Sequence, residues 1–148
     1  MKIAIGCDHA GFDLKESLKS FLLEKEFEIE DVGCFSKERC DYPQYSEAVV
    51  KLVLNQGMKG LLICGSGIGV SIVANKFKGI RAALVRSVEE AKLSRQHNDS
   101  NVICLGARIT PADTACEIIT AWLNEKFEEG RHEDRLKLFS NRGETFQP

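Results

Sequence analysis

The sequence predicts an α/β protein built in three layers: a five-stranded parallel sheet with helices on both faces, plus one more helix at the C-terminus. Two observations carry that prediction. Short runs of strand-forming residues alternate with segments whose apolar positions recur at helical spacing. Most of the strand runs are continuously apolar, as expected where a strand is covered on both faces. The 148 residues are enough for one core, so residues 1–148 are expected to form a single domain.

Ile3-Ala4-Ile5-Gly6-Cys7 is the first buried strand and ends in the polar loop Asp8-His9-Ala10-Gly11. Leu14, Leu18, Phe21 and Leu22 then share one helical face. Glu28 to Val32 is a less apolar strand, expected near an edge. A loop from Gly33 closes at Asp41-Tyr42-Pro43, where Pro43 holds Tyr42 extended and precedes the second helix. That helix carries the stripe Tyr45, Ala48, Val49, Leu52, Val53 and stops at Gly57.

Leu61-Leu62-Ile63-Cys64 is the central strand, and Gly65-Ser66-Gly67-Ile68-Gly69 follows it directly. Val70 to Lys76 is expected to be helical, which places the glycine loop at a helix N-terminus. Uncovered N–H groups there favour an anion. A thiol in such a position ionises more readily than a free one.

Arg81 to Val85 is the fourth strand. Ser87-Val88-Glu89-Glu90 has the form of a capping box and opens the fourth helix. The dense polar cluster Arg95-Gln96-His97-Asn98-Asp99 follows, then a fifth strand from Asn101 to Leu105. Thr110 is expected to cap the fifth helix, with Pro111 at its first position. Ala115, Ile118, Ile119, Trp122 and Leu123 form its apolar face, and Gly130 is expected to stop it. Arg131 begins a charged last segment, read as a short helix. Of the common doubly-wound arrangements, Rossmann-like and flavodoxin-like, strand order 2-1-3-4-5 suits five strands best. It brings Asp8-His9 beside Cys64 to Gly67 at the switch point.

Composition narrows the function. A net charge of -2 with mixed signs gives no basic surface for nucleic acid. No apolar run has the length of a membrane span. The N-terminus enters a strand at once, so a cytoplasmic protein is expected. Cys7, Cys34, Cys40, Cys64, Cys104 and Cys116 contain no CxxC pair, which supports neither zinc nor a redox motif. Reduced, buried thiols are expected, with Cys7 a second thiol near the crevice.

Taken alone, each polar residue has two readings. Asp8 and His9 either do chemistry or satisfy loop amides; His97 is either reactive or a helix C-cap favoured by the dipole. Tyr42 alone reads as a packed anchor. Arg131 and Arg135 share a helix face, solvated or shaped to clamp a phosphate. Cys64 and Ser66 lie at the C-terminal end of their strand, whereas His97 and Asn98 precede strand five. One chain cannot easily join them, so a site shared across a dimer interface is expected.

Taken together, the motifs are specific. Gly-Cys-Asp-His at 6–9, Asp-Tyr-Pro at 41–43 and Cys-Gly-Ser-Gly-Ile-Gly at 64–69 resemble one family. So do Ala74-Asn75-Lys76, Gly79 to Ala83, Ser94 to Asp99 and Gly130-Arg131-His132. The chain resembles the sugar-phosphate isomerases that include type B ribose-5-phosphate isomerases and galactose-6-phosphate isomerase subunits. The resemblance runs from Met1 to about Arg135; Leu136 to Pro148 adds nothing to it.

That resemblance implies interconversion of ribose 5-phosphate and ribulose 5-phosphate through an enediolate, in the pentose phosphate pathway, with no cofactor and no metal. It implies that Cys64 moves the proton and His97 opens the sugar ring. Asp8, His9, Tyr42, Ser66 and Asn98 would contact the sugar. The backbone of Gly65, Ser66, Gly67, Ile68 and Gly69 would form an anion hole for the enediolate, where helix physics alone would have put the phosphate. Arg131 and Arg135, helped by Arg108, would hold the phosphate instead. Relatives form homodimers, some paired into tetramers, with His97, Asn98 and Arg108 expected to cross the interface. Relatives without the cysteine use a glutamate in the next helix; Val70 to Ile72 offer no carboxylate here. Two alternatives remain open: a six-carbon substrate such as allose or galactose 6-phosphate, and a non-enzymatic flavodoxin-like or receiver-like module.

Overall fold

The structure, a computed structural model, describes residues 1–146. β1 (Lys2–Cys7) leads through a 3-10 turn (His9–Gly11) into α1 (Phe12–Glu24). β2 (Glu28–Asp31), α2 (Tyr42–Gln56), β3 (Lys59–Cys64) and α3 (Ile68–Ala74) follow. β4 (Ala82–Leu84), α4 (Val88–Gln96), β5 (Val102–Gly106), α5 (Ala112–Asn124) and α6 (Arg131–Lys137) complete the chain. No helix among the described residues is long and apolar enough to cross a membrane.

All strand pairs are parallel, and the order is β2-β1-β3-β5-β4. The expected order had the last two strands exchanged. The cause is burial. Every residue of β5 is buried, whereas the three residues of β4 are half-exposed, so β5 takes the interior place and β4 the edge. With right-handed crossovers, β3 reaches β4 over one face and β4 returns to β5 over the other. Hence α2 and α3 pack on one side, and α1, α4 and α5 on the other. The adjacency that matters for the site, β1 beside β3, is as expected.

Alternate side chains of each strand feed two cores. Ile3, Ile5, Leu61, Ile63, Ile103 and Leu105 meet Leu14, Leu18, Ile118 and Trp122 on the α1 side. Ala4, Leu62, Cys64, Val102 and Cys104 meet Val49, Val53 and Val70 on the α3 side. Full burial of each large aliphatic side chain stabilises the fold by roughly 1.5–3 kcal/mol. Cys7 belongs to the first core, the face away from Cys64, and burial pushes its thiol well above the ordinary range. It is therefore not a competing thiol in the crevice.

Several local expectations shift by a residue or two. α3 starts at Ile68 rather than Val70, so the glycine loop is shorter. Tyr42 is the first residue of α2, with Pro43 inside the first turn. The buried stripe of α2 is Ser46, Val49, Val50 and Val53, because Ser46 Oγ donates to Val70 O at 2.9 Å and draws that face inward. Ser87 Oγ accepts from Glu90 N, but the Glu90 carboxylate accepts from Arg86 N, not from Ser87. Pro111 stands at the N-cap of α5, so Thr110 does not cap it. Gly130 opens α6 instead of closing α5, which ends at Asn124.

The C-terminal stretch has a structural role that the sequence did not reveal. Glu144 N donates to Lys76 O at 2.7 Å and Lys78 N to Glu144 O at 2.9 Å. Phe146 stacks on Phe77, with centroids 4.2 Å apart. This strap lies over the connection between α3 and β4.

Candidate active site

The sharp turn from β3 into α3 builds the centre of the site. Gly67 has φ +77°, and a Cβ there would lie 2.6 Å from Leu84 Cδ1, so glycine is required. This turn points the Gly67 amide back at Cys64 Sγ, 3.1 Å away. That contact fixes the position of the sulfur against the loop. Ile68 N donates to Ser66 Oγ at 3.2 Å. Two loop amides expected in an anion hole are thus already engaged within the loop. Gly106 lets β5 approach: a Cβ there would lie 2.6 Å from Ser66 O.

Cys64 borders a cleft of about 650 Å³ at the C-terminal ends of β1 and β3. Asp8, Tyr42, Gly65, Ser66, Ile68, Gly69 and Arg108 line it too, with Ile72 and Ile109. The Tyr42 ring covers Gly69, where a Cβ would meet Cζ at 2.6 Å. Arg108 lies over Gly65, its Nη1 3.0 Å from where a Cβ would be, and its N donates to Gly65 O. Within one chain, Arg108 lines the cleft beside Cys64 because β5 is the neighbour of β3.

Asp8 and His9 show their structural side. Asp8 Oδ1 accepts from the amides of Ala10 and Gly11, capping the 3-10 turn. Among the described residues, Asp8 Oδ2 has no hydrogen-bond partner. His9 Nδ1 faces the backbone of Cys40, 3.2 Å from O and 3.3 Å from N. If Nδ1 accepts from Cys40 N, Nε2 carries the ring proton and can donate to a ligand.

His97 and the α6 arginines gather elsewhere. His97 caps α4, with its N donating to Leu93 O. Its ring stacks on His132, centroids 4.3 Å apart and planes 11° from parallel. Glu128 Oε2 lies 3.5 Å from His132 Nε2 and 3.9 Å from His97 Nε2. Burial, then His97, then the charge of Arg131 hold the His132 imidazole below its ordinary range. Arg131 and Arg135 flank it on α6.

The polar cluster before β5 acts as a clamp. Asp99, at φ +43°, takes Arg81 Nη2 at 2.8 Å and Arg95 Nη1 at 2.6 Å. Arg81 Nε also donates to the carbonyls of Asn98 and Asp99. The turn presenting His97 and Asn98 is fixed from both sides. Asn98 is exposed on a cavity of about 290 Å³ with Arg81 and Asn75.

The sequence-derived residues therefore fall into two groups. Val102 pairs with Gly60 and Gly106 with Cys64. The His97 turn precedes the start of β5, and that start lies roughly 13 Å along the sheet from the sulfur. Sequence reasoning missed His132 and Glu128. His132 stood in a quoted motif, but nothing in its spacing announced a stack with His97.

Comparison with known proteins matches this geometry to a family. Residues 3–139 match the model described as Ribose/Galactose Isomerase. The chain is 47% identical over 140 residues to ribose-5-phosphate isomerase B of Escherichia coli, covering 94% of each. It superposes on the Clostridium thermocellum ribose-5-phosphate isomerase B with a TM-score of 0.93 at 40% identity, covering 95% of each chain. For the Mycoplasma genitalium ribose-5-phosphate isomerase B, solved with bound ribulose-5-phosphate, the TM-score is 0.90 at 37% identity, covering 94% of this chain and 93% of that one. With a family match over most of its length and relatives of this identity and coverage, this chain belongs to the ribose/galactose isomerase family.

Proposed function

We propose that the chain interconverts ribose 5-phosphate and ribulose 5-phosphate, working as a homodimer with two shared sites. The carrying observation is the cleft in which the Gly67 amide meets Cys64 Sγ beside Asp8, Ser66 and Arg108. The family and its relatives' substrates support the same reading. They leave the flavodoxin-like or receiver-like alternative without support.

In this mechanism the Cys64 thiolate takes the C2 proton of the open-chain aldose, giving an enediolate. The same sulfur returns the proton to C1, while a hydroxyl proton passes between O2 and O1. Proton transfer of this kind contributes about 10²–10⁴-fold to rate. Ser66, Tyr42, Asp8 and His9 hold the sugar. Amides of the 65–69 loop other than those of Gly67 and Ile68 face the enediolate oxygens. Arg131 and Arg135, with Arg108, hold the phosphate, and Asn98 binds the sugar beside His97.

His97 opens the ring, and the partner subunit supplies it. Two features favour a dimer. The monomer separates His97, Arg131 and Arg135 from the thiol, and the cleft rim is apolar and exposed. Ile68, Ile72 and Ile109 are 45%, 56% and 49% exposed. Exposed apolar residues clustered around a cleft mark an interaction surface. A cytoplasmic setting and one working domain over residues 1–148 belong to the same reading.

The test is a coupled assay with ribose 5-phosphate in the presence of a chelator, run beside allose 6-phosphate and galactose 6-phosphate. Fastest turnover of the pentose is expected. Stronger turnover of a hexose phosphate would reverse the substrate assignment, and no turnover of any would reject the reaction.

A further inference from the structure

His97, Glu128 and His132 come from three different parts of the chain and converge on one spot. His97 caps α4, Glu128 lies in the connection after α5, and His132 is in the first turn of α6. The Glu128 amide donates to Gln96 O at 3.0 Å, which fastens that connection to the end of α4. Positive φ at Glu129 and Gly130 turns the chain so that α6 brings His132 back beneath His97. One ligand atom from each residue lies within 4.8 Å of the others.

The distances do not suit hydrogen bonds. Glu128 Oε2 is 3.5 and 3.9 Å from the two Nε2 atoms, beyond the ordinary N–H···O range of about 2.7–3.2 Å. The 3.5 Å separation from His132 Nε2 is close to what a shared cation requires, and the 3.9 Å separation from His97 Nε2 must shorten as that ring moves. Tetrahedral zinc with bonds near 2.0–2.2 Å separates its donor atoms by about 3.3–3.5 Å. The stacked rings must tilt toward one another, and the His97 side chain, 40% exposed, has room to do so. His132, 9% exposed, is the fixed member. Arg131 and Arg135 oppose a cation, but segment 125–135 carries five carboxylates against three basic side chains.

We propose that His97 Nε2, His132 Nε2 and a Glu128 carboxylate oxygen bind a divalent transition-metal cation of the zinc type. Two imidazoles and one carboxylate suit a borderline cation rather than Mg²⁺ or Ca²⁺, which take oxygen ligands. A fourth position stays open for water. Bound metal occupies the Nε2 lone pair of His97. On the functional reading above, on which this consequence alone rests, Zn²⁺ is then a reversible inhibitor of ring opening.

The experiment titrates chelator-treated protein with Co²⁺ and follows the visible spectrum. Ligand-field bands without a sulfur-to-cobalt charge-transfer band are expected, with displacement by Zn²⁺. His132→Gln and Glu128→Gln should each weaken Co²⁺ binding at least about tenfold, since even indirect supporting partners are worth that much. Glu128 is half-exposed, so its variant keeps the test valid if His132→Gln fails to fold. Absence of ligand-field bands, a dominant thiolate band, or unchanged affinity in both variants would overturn the site. In the activity arm, Zn²⁺ should slow wild type and spare Glu128→Gln, each relative to its own metal-free rate. Metal bound as described with turnover unaffected would uphold the site and overturn the role given to His97.

Discussion

The Gly67 amide points at Cys64 Sγ across 3.1 Å, and that contact exists only because Gly67 adopts φ +77°. Backbone conformation and sulfur chemistry are therefore one feature. Any residue at 67 with a side chain must abandon this φ or clash with Leu84 and Leu105. Gly67→Ala should thus cost about 1–3 kcal/mol of stability from backbone strain. It should also lower kcat at least tenfold by moving the amide off the sulfur. Urea unfolding and steady-state kinetics check the two effects. Loss of stability with kcat unchanged would show that the amide contributes nothing to the chemistry.

Replacing the sulfur tests the base itself. Cys64→Ala should lose about 10²–10⁴-fold or more in kcat, the range for a general base, while still binding ribose 5-phosphate. Calorimetric titration with the substrate measures the binding. Full activity in this variant would reject Cys64 as the base.

The shared site proposed above predicts complementation. In the proposed dimer, Cys64→Ala and His97→Ala would each damage both sites of their own homodimer. In a mixed dimer, one site combines both damaged halves and the other is intact. Random exchange makes half the dimers mixed, so about a quarter of wild-type activity should return on mixing, by the symmetry of a two-fold dimer. Activity that stays at the level of the separate variants would show that each chain uses its own His97.

The sequence revealed the layers and the β1–β3 crevice because continuous apolar runs and helical stripes report burial directly. It did not reveal the exchange of β4 and β5. Both runs looked apolar, and the decisive difference lay in how strongly: Val102-Ile103-Cys104-Leu105 against Ala82-Ala83-Leu84. The thiol and the glycine loop were legible because they adjoin in sequence. The stack of His97 on His132 was not, since it depends on two positive-φ residues that bend the chain back. Lys15 was also missed. A lysine beside Leu14 reads as exposed, yet its ammonium is fully buried against Asp31.

The strap over α3 and β4 should matter for stability rather than chemistry. Phe146 stacks on Phe77 and joins the core on the α3 side. Phe146→Ala removes that stack and leaves the backbone bonds of Glu144 in place. The expected loss is about 1–3 kcal/mol, below the cost of emptying a fully buried aromatic site because Phe146 is only partly buried. Thermal unfolding at fixed protein concentration measures it. A melting curve identical to wild type would show that the strap adds nothing.

Acid should act through Asp31. Its carboxylate receives Lys15 Nζ at 2.7 and 2.8 Å, Lys19 Nζ at 2.8 Å and the Gly33 amide at 3.0 Å. Burial alone would raise its pKa, but the hydrogen bonds from Lys15, Lys19 and Gly33 outweigh it and hold the carboxyl below the usual carboxylate range. Because the folded value lies below the unfolded one, about 3.9, this carboxylate's contribution is complete above that pH. It is lost as pH falls through the folded value. Asp31→Asn strips buried Lys15 of its main partner and should cost about 3 kcal/mol at pH 7, the lower end for a broken buried pair because Glu16 remains 3.2 Å away. The variant's stability should then fall less steeply than wild type below pH 4. Urea midpoints at pH 7, 5, 4 and 3 separate the cases. Parallel loss in both proteins would assign the acid sensitivity to other carboxylates.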